Sequence, residues 1–352
     1  MSDESHYSLN STDVHELTIQ LLSQLPLEAR GGKVQVEDLL NVLVFAASLR
    51  ISINQACCDL EGAPTGATVL GELARQLDDL DELEEDLNQL LVKLLLRGLG
   101  EKGRRVAIDL VRLPYHGSVQ SEHEGEVCRS KATDGTTHFF TYATAYVVLR
   151  GRRYTLALCR VRKGDKMVEV LKTLMGRLKT LGVKLSLLLV DRGFYSVSVI
   201  RYLIALSQPF IMAATRRGKK ADDPGGPTGT FAIAQAKSSY WTSYTLCSTQ
   251  DGEVSFDLAV VCRNLNGKWD RHEREALLYA TFGVRDRSLG WVKKTYRGRF
   301  GIEYSHRQLN QARIRTSTRN PALRLLFVGV ALVLRNVWVW LHAEVIALPR
   351  QG

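Results

Sequence analysis

The seven residues from Lys184 to Val190, KLSLLLV, constrain this chain more than any other stretch. They are apolar almost throughout, have the length of a strand, and leave neither face suited to water. A strand of that kind belongs inside a sheet with layers on both sides. It stops at Asp191-Arg192-Gly193, where a turn begins.

The neighbouring segments agree with a layered α/β sheet. Val106 to Leu113, His138 to Leu149 and Tyr154 to Val161 are rich in β-branched and aromatic residues, with Gly151-Arg152 placed to close a hairpin. Asp165 to Leu181 has helical spacing, with Asp165 as its cap and Gly182 just past its end. Ser196 to Leu206 reads as a second helix and Pro209 to Thr215 as another buried strand. Strand, strand, strand, helix, strand, helix, strand is the order of a ribonuclease-H-like fold, a mixed sheet with helices on both faces. After it comes RRGKKADDPGGPTG, then strand-like runs at Tyr240 to Cys247 and Val254 to Cys262, so 216–287 reads as a β-rich insertion before a last core helix. Upstream, Ser11 to Gly100 is helical throughout. Within it Leu39 to Leu49, Ser52 to Leu60 and Thr65 to Leu77 form three pieces, with Ser52 and Thr65 as N-caps. These three make either a helix-turn-helix or a small bundle with no DNA role. The expected organisation is a helical, DNA-binding domain at 1–100, a first part of the core at 101–215, the insertion at 216–287 and C-terminal core helices at 288–352.

Charge narrows the partners. A net charge of +10 and a pI near 9.3 point to a polyanion. Acid is concentrated in Asp78 to Asp86, while Arg104 to Arg105, Arg150 to Arg153 and Arg216 to Lys220 are basic. The six cysteines show no CxxC pair and no metal-finger spacing, which suits reduced thiols in a cytoplasm. The polar N-terminus has no secretory pattern. Leu325 to Leu334 and Val337 to Leu341 are interrupted by Arg335 and Asn336, as in a buried core helix rather than a membrane span.

The stretch Trp291 to Arg319 carries Glu303 alone among many cations. As a helix it brings Tyr296, Arg299, Glu303, Arg307 and Asn310 to one face. That face suits a metal ion on a phosphate, and equally a solvated basic helix with an ordinary ion pair. Asp109, between Ile108 and Leu110, contradicts the β-propensity of its strand; it is a core carboxylate with satisfied partners, an edge-strand charge or a ligand. Asp191 ends a buried strand, where α/β folds place their sites, and also where a turn needs a cap. In the expected fold Asp109, Asp191 and Glu303 converge. Three such carboxylates need a cation, and oxygen ligands without histidine or cysteine favour magnesium, with manganese as a substitute. Two ions about 4 Å apart would serve both oxygens of a phosphodiester displacement.

At AIDL around Asp109, LLLVDRGFYS around Asp191 and YRGRFGIEYSHRQ around Glu303, the chain resembles the DDE transposases of bacterial and archaeal insertion sequences. Tyr296, Arg299 and Glu303 match that family's Tyr, two residues, Arg, three residues, Glu signature. The signature's lysine, seven positions on, is Asn310 here, with Arg307 and Arg313 near enough to replace it. The resemblance spans 106–319. It implies Asp109, Asp191 and Glu303 as catalytic metal ligands, with Tyr296, Arg299, Arg307 and Arg313 as DNA contacts. It also implies a synaptic dimer or higher assembly on terminal inverted repeats, endonucleolytic cleavage of the element's ends, and transfer of their 3′-hydroxyls to target DNA. Trp241 is read as packed rather than as a stacking platform, and His116 and His306 stay outside the catalytic set. A decayed DNA-binding protein and a ribonuclease-H-like nuclease are the alternatives. No GxxxxGK[ST] loop points to a phosphotransferase.

Overall fold

The computed structural model describes residues 11–29, 34–95, 102–149, 152–264, 274–309 and 312–344, with the backbone alone at 11, 122, 148–149, 152, 264, 274, 300–309 and 343–344. The chain forms two compact units, each assembled from separate stretches: 1–99 with 111–164 and 304–352, and 100–110 with 165–303. Among the described residues, nine strands join one mixed sheet and ten α-helices accompany it.

The first unit begins with α1 (Ser11–Leu22), α2 (Val36–Leu49), α3 (Ile53–Asp59), α4 (Gly66–Gln76) and α5 (Leu80–Val92). Ser52 and Thr65 cap α3 and α4 as expected, their hydroxyls accepting from the backbone of Gln55 and Thr68. The acidic run serves the fold: Asp79 caps α5, and Asp81 and Glu84 pair with the buried Arg160. The strands of this unit are the end of β1 (Arg104–Pro114), then β2 (Cys128–Thr133), β3 (Thr136–Leu149) and β4 (Arg152–Val161). β3 runs antiparallel to both β2 and β4. The final helix, α10 (Pro321–Glu344), packs against α5, β4 and α2. It is long and apolar enough to cross a membrane, yet 83% of its apolar window is buried inside the fold, so it is a core helix. Asn336, which interrupts its apolar run, bonds the backbone of Leu91 and both backbone groups of Thr155. A buried amide thus finds its partners.

The second unit takes the beginning of β1 and adds α6 (Met167–Thr180), β5 (Leu185–Val190), α7 (Val197–Ala205), β6 (Phe210–Ala213), α8 (Gly229–Ile233), β7 (Tyr240–Ser248), β8 (Gly252–Asn264), β9 (Arg274–Phe282) and most of α9 (Leu289–Leu309). Its strands run β1–β5–β6–β9–β8–β7, parallel from β1 to β6 and antiparallel beyond. Residues 216–287, read as an insertion, therefore contribute three strands to the sheet itself. One expectation differs in detail. Lys166, not Asp165, stands at the N-cap of α6 and makes no side-chain cap. The helix read through Tyr296, Arg299 and Glu303 is α9, Leu289–Leu309.

Candidate functional site

Alternation along two neighbouring strands builds the site. In β1, Arg105 lies under Trp291 of α9, Ala107 packs into the apolar core beneath that helix, and Asp109 follows at the same step of two. In β5, Leu187 and Leu189 enter that core, and Asp191 comes next in phase. The parallel register pairs Ala107 with Leu189 and Ile108 with Val190, and the Asp191 amide donates to the Ile108 carbonyl at 3.0 Å. The two aspartates therefore stand side by side, one strand spacing of about 4.8 Å apart in the backbone.

Over them lies α9, whose Val292 and Tyr296 share the same core. Tyr296 is 1% exposed and donates its hydroxyl to the Val190 carbonyl at 3.2 Å. One turn on, Arg299 is 7% exposed. Its Nη1 lies 3.1 Å from Asp109 Oδ2 and its Nη2 lies 3.2 Å from Asp191 Oδ1, so one guanidinium bridges both carboxylates. Its carbon also sits 5.0 Å from the Tyr296 ring centre.

The electrostatics follow from burial. Desolvation raises the Asp109 pKa to about 6; Arg299 opposes the rise and the charge of Asp191 adds to it. Burial works against the charge on Arg299, but Tyr296, Asp109 and Asp191 hold its pKa above the usual value. Burial pushes the Tyr296 phenol well above its ordinary range. Asp191 also closes the following turn, its Oδ2 accepting from the Gly193 amide at 3.0 Å.

Asp109, Asp191, Tyr296 and Arg299 are thus brought together. Tyr296 and Arg299 face inward, toward the strands, whereas Lys294 and Arg297 are the exposed cations of this part of α9. The backbone of α9 continues through position 303, one turn past Arg299. The side chains of Glu303, His306 and Arg307, and all of Asn310, lie outside the described residues. Arg313 belongs to the other unit, as does His116. Trp241 is half-buried, packed against the core beneath α9.

Sequence reasoning missed the cleft beside Asp191. It measures about 670 Å³ and is lined by Arg192, Arg216, Phe231, Glu275 and Tyr279 along with Tyr296 and Arg299. β9 supplies Glu275 and Tyr279 to its wall and α8 supplies Phe231, and the pairing of β6 with β9 brings the β9 residues into the sheet on the Asp191 side.

Asp109 and Asp191 offer hard oxygen donors of the type a small divalent cation takes. A guanidinium already sits across both, and magnesium commonly uses only one or two protein carboxylates. Among the described residues, no group of three or more histidines, cysteines, aspartates or glutamates gathers to hold a metal. No protein-family model matches the chain, and a search of curated proteins finds none that matches it.

Proposed function

We propose that this chain is a DNA transposase of the DDE type, acting on element ends by metal-dependent phosphodiester hydrolysis and then strand transfer. The observation that carries the proposal is the pair Asp109 and Asp191, adjacent on parallel strands and sharing one buried cation from α9. A core that keeps two carboxylates together, at the cost of raising one pKa to about 6, keeps them for chemistry more readily than for stability.

The strand order β4–β3–β1–β5–β6 supports the finer assignment to a ribonuclease-H-like core. Asp109 and Asp191, with Glu303, would hold magnesium or manganese. When bound, the ions supply activation of the attacking oxygen and stabilisation of the leaving one. The protein's own part is positional. Tyr296 ties α9 to the last residue of β5, and Arg299 holds the carboxylates in register. The open cleft beside Asp191 leaves room for a phosphodiester. The helices α2 to α4 are the proposed reader of the terminal repeats, and the acting form is a dimer or larger assembly on DNA.

The test is incubation of purified protein with labelled duplexes copied from both flanks of its reading frame, with magnesium and then with EDTA. Magnesium-dependent nicks at a repeat boundary, followed by joined products, are expected. Cutting without joining would favour a ribonuclease-H-like nuclease, and binding without cutting a decayed transposase.

A further inference from the structure

The first unit holds a second cationic feature. Arg324 is 6% exposed in the first turn of α10. Its Nε donates to the Thr318 carbonyl at 2.7 Å, and its guanidinium carbon lies 4.6 Å from the centre of Phe140 and 5.1 Å from that of Tyr115. The group is clamped, not wandering. A helix N-terminus carries partial positive charge, so a buried cation there is placed against the dipole. Arg313, half-buried, lines the same cavity. Among the described residues, no carboxylate forms an ion pair with Arg313, Arg324 or Arg50. Burial lowers the pKa of both Arg313 and Arg324; Arg50 lowers Arg313 further, while Tyr142 and Tyr115 raise Arg324 and Arg313 lowers it. Guanidinium groups stay charged in proteins, so this cost is relieved by an anion and not by loss of a proton.

The cavity between the two arginines measures about 50 Å³. A water needs roughly 10–15 Å³ on the same measure, so a group of several heavy atoms fits. Leu113, Pro114, Phe327 and Val328 supply apolar walls, and Thr316 adds a hydroxyl. The segment bearing Arg313 is held in place: the Arg315 amide donates to the Ile51 carbonyl at 3.1 Å, beside Arg50 at the end of α2.

We propose that Arg313 and Arg324 form a seat for a single phosphate group, supplied by a polynucleotide backbone. Two guanidinium forks, that of Arg324 held by Thr318 and two rings, and a hydroxyl, with no acid among the described lining residues, select a compact anion with several acceptor oxygens. The polynucleotide source rests on the function proposed above; the phosphate seat does not.

Thermal melts of the full chain in inorganic phosphate, in acetate and in chloride at equal ionic strength test the seat. Phosphate should raise the wild-type Tm by roughly 3 °C or more over chloride, acetate should not, and Arg313→Gln should lose the shift. Arg324→Lys, which keeps the charge without the fork, should lose it as well. An equal shift in wild type and Arg313→Gln, an equal effect of acetate, or no shift at all would overturn the seat. Binding of a 30-base-pair duplex across a salt series tests the source. The log-log slope should fall by about 1 in Arg313→Gln. An unchanged slope in a protein that phosphate still stabilises would overturn the polynucleotide source. No duplex binding by wild type at all would overturn the transposase reading and leave the seat standing on the melts.

Discussion

Tyr296 donates its hydroxyl to the carbonyl of Val190, the residue immediately before Asp191. That bond fastens α9 to the end of β5 at the point where the strand delivers its carboxylate. Tyr296→Phe keeps the ring and its packing but deletes the donor, and should cost about 1–2 kcal/mol. Urea unfolding measures it; an unchanged midpoint would mean that the bond does no positioning.

Arg299 has a larger role than a surface cation. Arg299→Met removes the shared counter-ion and leaves Asp109 and Asp191 facing each other in a dry setting, which should destabilise the fold by about 3–5 kcal/mol. Magnesium should restore part of that loss in the variant and EDTA should cancel the restoration, both read as Tm. If magnesium has no effect on the variant, the carboxylates do not hold the ion.

The raised pKa of Asp109 makes stability depend on pH. Because the folded state binds its proton more tightly than the unfolded state, the protein is favoured while the group is protonated in both. It loses that advantage as pH rises from about 4 to about 6. A shift of that size is worth about 3 kcal/mol. Metal-free unfolding followed from pH 4 to 7 should show the decline in wild type, and Asp109→Asn should flatten it.

Loss of chemistry should separate from loss of binding. Asp109→Asn, Asp191→Asn and Glu303→Gln should each abolish magnesium-dependent cleavage while changing DNA affinity less than about tenfold, because the groups removed serve the reacting phosphate. Gel-shift and nicking assays on the same preparations decide it; normal cleavage by one variant removes that residue from the site.

In the other unit, Asn336→Leu would strand the amide and carbonyl of Thr155 and the carbonyl of Leu91. Buried groups left unpaired cost about 1–3 kcal/mol each, so a loss of at least 3 kcal/mol is expected in chemical denaturation.

Local pattern was enough to read much of this protein. The leucine run of β5 announced a buried strand, the serine at 52 and the threonine at 65 announced helix starts, and the apolar stripe of α10 announced a core helix, because burial periodicity and capping act within a few residues. The oddity of an aspartate inside β1 was also visible, since it contradicts its neighbours. Long-range pairing decided the rest. Arg299 faces two carboxylates and not solvent because α9 lies on the very face that Asp109 and Asp191 share, a relation set by strand register and helix placement across almost two hundred positions of chain. The same holds for strands β7 to β9, read from sequence as a β-rich insertion, whose place in the sheet is set by the hydrogen bonding of β9 to β6. It also holds for Arg324, which folding buries beside Arg313, with no ion-paired carboxylate among the described residues.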